Sequence, residues 1–126
     1  MKTHPRDDDR SWSYYRITLP KAHEKRVLNT HNILYCKAHD NQTEIHQCQG
    51  QHVEMTSFTL REVEEALQPK GFYRCHKSYL VNMEFVTAYL TNSGGYLELT
   101  NGEVIPVSDS FRKPIVDFLE SLQPHH

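Results

Sequence analysis

The stretch GFYRCHKSYLVNM, residues 71–83, sets Arg74, His76, Lys77 and Ser78 directly beside an apolar run that ends in Asn82. Phe72 at one end and Leu80-Val81 at the other can anchor a strand in a core. The polar residues between them would then lie on a defined surface instead of a loose loop. Lys70, Arg74 and Lys77 bring three cations to residues 70–77 with no acid among them, on a chain whose formal charge is −2. Two readings follow from the residues alone. The polar groups form the solvated face of an ordinary strand, with His76 and Asn82 satisfied by backbone groups, or they are fixed donors suited to phosphates and base edges.

Outward from this stretch the pattern is mostly β. Short segments rich in β-branched and aromatic residues recur about every ten residues between polar breaks. They are 14–19, 25–29, 32–38, 43–49, 51–56, 71–76, 84–91, 95–100 and 103–107. Gly50 separates two of them, Ser93-Gly94-Gly95 another pair, and Asn101-Gly102 predicts a type I′ hairpin turn, so the sheets are expected to be antiparallel. Two segments break the rhythm. In TLREVEEAL (59–67) Thr59 can cap a helix while Glu62 reaches back, with Leu60, Val63 and Leu67 on one face and Pro69 as the stop. In PIVDFLESL (114–122) Ile115, Phe118, Leu119 and Leu122 fall on one helical face, and Pro114 is tolerated in the first turn.

A chain of 126 residues, 37% hydrophobic and 24% charged, suits one globular domain. Residues 1–13, with the run Asp7-Asp8-Asp9, read as a flexible arm or linker remnant, 14–122 as the folded domain and 123–126 as a tail, in which His125-His126 is either a shortened tag or plain chain end. No apolar run approaches the roughly 20 residues of a membrane helix and no signal peptide opens the chain, so a cytoplasmic protein is expected. Cys36, Cys48 and Cys75 lack the CxxC spacing of a zinc site and are odd in number, which favours reduced thiols. A charge of −2 does not coat nucleic acid through net charge, so any such binding must be local.

The segment Phe72, Arg74, His76, Ser78, Val81, Asn82, in the pattern F-x-R-x-H-x-S-x-x-V-N, resembles the signature of the LytTR family of bacterial DNA-binding domains. The helix TLREVEEALQPKGF before it and LELTNGEVIPVSDSFRKPI after it are similar to that family's flanking segments, in the same order, over about residues 20–122. The resemblance implies a mainly β, elongated fold of about ten strands in small antiparallel sheets with two short helices. It implies sequence-specific binding of double-stranded DNA by a transcription regulator, with loops entering successive major grooves at repeated half-sites and two copies per operator. No cofactor is implied. In this family the module commonly follows a receiver or sensor domain of a two-component response regulator. Too few residues precede Tyr14 for a receiver, so the chain is expected to be an excised effector domain or a stand-alone regulator.

Three regions match the family's DNA-reading loops: His39–Thr43, Arg74–Ser78 and Ser108–Lys113. In them Asn41 and Gln42 carry amides that pair bidentately with adenine, and Lys77 can donate to guanine O6 and N7. His76, Ser78, Arg112 and Lys113 suit phosphates, Arg74 either joins them or braces the patch, and Asn82 braces a loop through its own hydrogen bonds. Asp109 stands where the family often carries a basic residue. A carboxylate accepts from cytosine N4 but repels phosphate, so the loop that begins at Ser108 reads a different base or contributes less, and Asp40 raises the same question.

Other chemistries fit less well. Cys75 and His76 are neighbours on a strand and point to opposite faces, which disfavours a thiolate–imidazole pair. Cys75 near a DNA-facing loop could still make binding redox-sensitive. His46, Cys48 and His52 lie close together, yet no fourth metal ligand is evident. The main rival is a small β protein-interaction module using Trp12, Tyr14, Tyr15 and exposed edges.

Overall fold

The computed structural model describes residues 11–21, 23–48 and 53–124. Among them, ten strands pair antiparallel into three small sheets. β1 (Arg16–Lys21) and β2 (Glu24–Asn29) make a two-stranded ribbon. β3 (Ile33–His39), β4 (Gln42–Gln47), β5 (Val53–Thr56), β6 (Phe72–His76) and β7 (Tyr79–Asn82) form a five-stranded sheet in the order β5-β4-β3-β7-β6. β8 (Val86–Leu90), β9 (Tyr96–Leu99) and β10 (Val104–Pro106) form the third. The helices are a single turn α1 (Ser11–Tyr14), α2 (Leu60–Leu67) and α3 (Arg112–Ser121). The mainly β architecture expected from the sequence is the one present. No helix among the described residues is long and apolar enough to cross a membrane.

The five-stranded sheet is the middle layer. On one face, Ile33 and Cys36 of β3, Ile45, Phe72 and Leu80 pack against Leu60, Val63 and Leu67 of α2 and against Leu19 and Leu28 of the ribbon. On the other, Leu34, Tyr35, Cys75 and Val81 meet Leu97, Leu99 and Ile105 of the small sheet and Ile115 of α3. β3 is therefore covered on both faces, which explains the unbroken buried run Ile33-Leu34-Tyr35-Cys36 where a half-exposed strand would alternate. A register shift between Ile33 and Tyr35 puts Leu34 and Tyr35 on the same side.

The α2 segment follows its sequence signals closely. Thr59 Oγ1 accepts from the Glu62 N–H, Glu62 Oε1 accepts from the Thr59 N–H at 2.8 Å, and Leu60, Val63 and Leu67 are buried. Such a cap stabilises a helix by about 1 kcal/mol. α3 starts two residues before Pro114 and keeps it in the first turn, where its missing N–H is not needed. Leu122 is not part of the apolar stripe: it lies beyond the helix and is exposed.

Three expectations change. Residues 71–83 are not one strand with a polar centre but a hairpin, and β7 is a strand of its own that pairs with β6 and β3. Asn101-Gly102 does not make a two-residue type I′ turn. Leu99 donates to Glu103 O and Gly102 donates to Leu99 O, so the loop spans three residues, with only Gly102 at positive φ (91°), the three-residue solution that ends in a left-handed glycine. The strand expected from Tyr14 begins at Arg16, because Tyr14 completes α1 and is tied to the body: its hydroxyl donates to Pro69 O at 2.6 Å and Lys70 Nζ lies 4.5 Å from its ring. Ser93-Gly94-Gly95 does join β8 to β9 as expected, whereas the Gly50 turn and the His125-His126 pair lie outside the described residues.

Candidate nucleic-acid interface

The topology brings the three loop regions to one end of the five-stranded sheet. β3 pairs with β7, and the Ala38 N–H donates to Ser78 O at 2.9 Å, which sets the β3–β4 turn beside the β6–β7 turn. On the far side, the Ser108 N–H donates to Cys75 O at 3.0 Å and draws the segment leading into α3 against β6. Asn41, Gln42, Lys77, Asp109 and Lys113 are exposed there, and His76, Ser78, Ser108 and Arg112 are half-buried. Asp40 takes a left-handed φ of 56°, a conformation Asp tolerates better than most residues. It shapes the turn that presents Asn41 and Gln42.

The β6–β7 turn is built by side chains. His76 pairs with Tyr79, leaving Lys77 and Ser78 as the connection. Two-residue hairpin loops favour turns with positive φ, but among the described non-glycine residues only Asp40 has one. Other bonds hold this turn. Arg74 Nε donates to His76 O at 2.9 Å, Nη2 to Lys77 O at 2.5 Å, and Nη1 pairs with Glu64 Oε1 of α2 at 2.7 Å. The guanidinium also stands 5.7 Å from the Phe111 ring centre. Across the turn, the Ser78 N–H donates to His76 Nδ1 at 3.0 Å. That bond puts the proton of a neutral imidazole on Nε2, where it can donate outward.

Of the two roles open to Arg74, the geometry supplies bracing, since all three guanidinium nitrogens are engaged and the side chain is 18% exposed. Lys77 is left as the projecting cation of the stretch. In the third loop, Arg112 Nη2 pairs with Asp109 Oδ1 at 2.5 Å and donates to Gly94 O at 2.9 Å. The Tyr89 hydroxyl and Asp109 both raise the guanidinium above its ordinary pKa, so it remains a cation. Asp109, which stands where the family often carries a basic residue, thus lies against Arg112. Lys113 pairs with Asp117 at 3.0 Å along α3.

Two assigned residues are not on this surface. Asn82 is buried, and it binds the other end of the hairpin: Nδ2 donates to Ile33 O at 2.9 Å and Thr30 O at 3.3 Å, while Oδ1 accepts from the Glu84 N–H. These bonds hold the turn before β3, away from the three converging loops. Cys75 is fully buried between β6 and the small sheet, and burial pushes its thiol up to about 12, which suppresses the thiolate that oxidants attack. The exposed thiol is Cys48, which donates to Asn32 Oδ1 at 2.7 Å. Titration of the native protein with a thiol reagent is expected to show one fast group, and denaturation to release the other two of the three cysteines. Fast labelling of Cys75 in the folded protein would restore the redox reading.

Some contributors were not visible in the sequence. Glu64 aligns Arg74 from α2, and Lys37 Nζ sits 5.7 Å from the Tyr79 ring centre beside the turn. Both depend on long-range pairing that local pattern does not encode, although Glu64 on the solvated side of an amphipathic helix was open to a charge partner. Of the metal trio, His46 stacks on Tyr35 at 4.3 Å and bonds Glu44 at 2.9 Å, Cys48 is turned to Asn32, and His52 lies outside the described residues.

Comparison with known proteins agrees with this architecture. Residues 23–120 match the model of the LytTr DNA-binding domain family. A solved LytTr DNA-binding domain from Bacillus cereus is 27% identical and superposes with a TM-score of 0.69, over 83% of this chain and 96% of that one. The sensory transduction protein LytT of Oceanobacillus iheyensis is 31% identical over 104 residues, 79% of this chain but 41% of the relative, so this chain spans about two fifths of that protein's length. The family match runs through α2, nearly all of α3 and all three converging loops, and the chain belongs to the LytTr DNA-binding domain family.

Proposed function

We propose that residues 14–122 form the sequence-specific DNA-binding module of a bacterial transcription regulator, and that it places its three loops in successive major grooves of repeated half-sites, two copies to an operator. The observation that carries this reading is the convergence of the β3–β4 turn, the β6–β7 turn and the Ser108–Lys113 segment on one end of one rigid sheet. A major groove about 12 Å wide admits such turns, and amides and cations of these types match its donor and acceptor pattern. Asn41, Gln42 and Lys77 read bases, whereas His76, Ser78, Ser108, Arg112 and Lys113 hold the backbone. The longer sensory transduction relative supports a receiver or sensor domain as the partner that controls the module. The setting is cytoplasmic, where such regulators meet DNA.

Selection of bound duplexes from a random DNA pool tests this directly. The parent domain is expected to enrich one short motif as a spaced repeat, with binding that falls steeply as salt rises. The Lys77→Ala, Arg112→Ala double variant is expected to enrich none. A folded parent that enriches nothing at low salt would point instead to a protein-interaction module.

A further inference from the structure

We infer that Arg74, aligned by Glu64, is a positioning residue for base reading: its forked guanidinium sets the Lys77–Ser78 turn and thereby where the Lys77 ammonium meets the DNA. The inference rests on the proposed DNA-binding role and adds to it a residue that acts without touching DNA.

The geometry points to this division. A two-residue hairpin turn without left-handed residues lacks the primed-turn backbone that usually matches the strand twist, and Lys77-Ser78 carries no glycine or asparagine to supply it. Beside the bonds that His76 and Ala38 make to Ser78, Arg74 restrains Lys77 itself. Two of its nitrogens hold consecutive carbonyls, those of His76 and Lys77, and so fix the orientation of the peptide groups on both sides of the Lys77 Cα. The third nitrogen is held by Glu64 on α2, an element packed on the core, so the fork is referenced to the rigid body of the domain. Phe111 ties the same guanidinium to the segment that carries Arg112. One side chain therefore couples the second and third loops. A planar five-donor fork can do this, and a lysine ammonium, a single point of charge on a flexible stem, does not reproduce its fixed spread of donors.

The test uses the folded domain with and without duplex. In the free parent, amide relaxation is expected to give Lys77 and Ser78 order parameters of about 0.85, and Arg74→Lys is expected to lower them toward roughly 0.6. With duplex, Arg74→Lys is expected to reduce discrimination roughly tenfold at the base that Lys77 reads, and at no other position. Arg74→Gln is expected to leave the salt slope at the parent's value, since no phosphate contact is lost. In the Lys77→Ala background, Arg74→Lys should cause no further loss at that base. Unchanged amide order, a salt slope lowered by about one unit in Arg74→Gln, or additive losses in the double variant would each overturn the positioning role. If Arg74→Lys does not fold, Glu64→Ala keeps both carbonyl bonds and is expected to give smaller changes of the same kind, and none at all would count against the proposal. A parent that prefers no sequence refutes the DNA-binding reading itself. The two failures are distinguishable because amide order is measured without DNA.

Discussion

Asn82→Ala is expected to lower the free energy of unfolding by about 3 kcal/mol, the scale for leaving buried partners of a lost side chain unpaired, while the folded variant keeps the parent's sequence preference. Asn82 is 3% exposed and serves three backbone groups of two segments: the Thr30 and Ile33 carbonyls and the Glu84 N–H. It joins the end of β7 to the turn before β3, so its loss frees the entry to the central strand. Asn82→Asp is expected to be at least as damaging. A carboxylate can still accept from the Glu84 N–H, but it faces two carbonyl oxygens without a proton to donate, in a site where burial already disfavours charge. Denaturant unfolding at an unchanged slope measures the loss. A normal unfolding midpoint together with a changed base preference would instead make Asn82 a DNA-contacting residue.

The residues most legible in the sequence were those whose roles are local. Thr59 and Glu62 lie three positions apart and meet within one helical turn, so the capping box could be read directly. Strand existence was equally visible, since alternation and β-branched content act over a few residues. Strand partnership was not. Tyr79–Asn82 went unseen as a separate strand because Lys77-Ser78 lacks the glycine or asparagine that announces a hairpin, its turn being held by Arg74 from outside. Asn101-Gly102 shows the opposite failure. A strong two-residue signal gave way to a three-residue loop once the β9–β10 register, pairing Val104 with Glu98, had been set by which side chains face the core.

The same distinction divides the site. The family resemblance pointed to the three loops, but residue type could not separate contact from support. Of the polar groups beside the apolar run, Arg74 and His76 both bond the turn's own backbone, and Ser78 lends its amide and carbonyl to His76 and Ala38. Lys77 alone among the four is exposed, and within the described residues its side chain carries no structural bond. The cluster is thus neither a plain solvated face nor a set of equivalent donors. It is one exposed cation on a turn that its neighbours hold in place, and Asn82, the last residue of the motif, secures the hairpin's opposite end.

Lys77→Ala and Arg112→Ala are expected to fail in different ways. If Lys77 donates to guanine O6 and N7, its removal costs about 1–3 kcal/mol of discrimination at one base pair and leaves other positions alone. Arg112 is tied to Gly94 and Asp109 and lies at the start of α3, a placement that suits a phosphate. Its removal should weaken all duplexes alike and lower the salt slope by about one unit. Asp109→Asn supplies the opposite sign: with the carboxylate neutralised, Arg112 keeps its charge and loses its competitor, so binding to every sequence is expected to strengthen. Affinities for a panel of single-base operator variants at several salt concentrations separate these outcomes. Loss confined to one base in Arg112→Ala would make Arg112 a base reader, and equal behaviour of the two variants would remove the division between reading and holding.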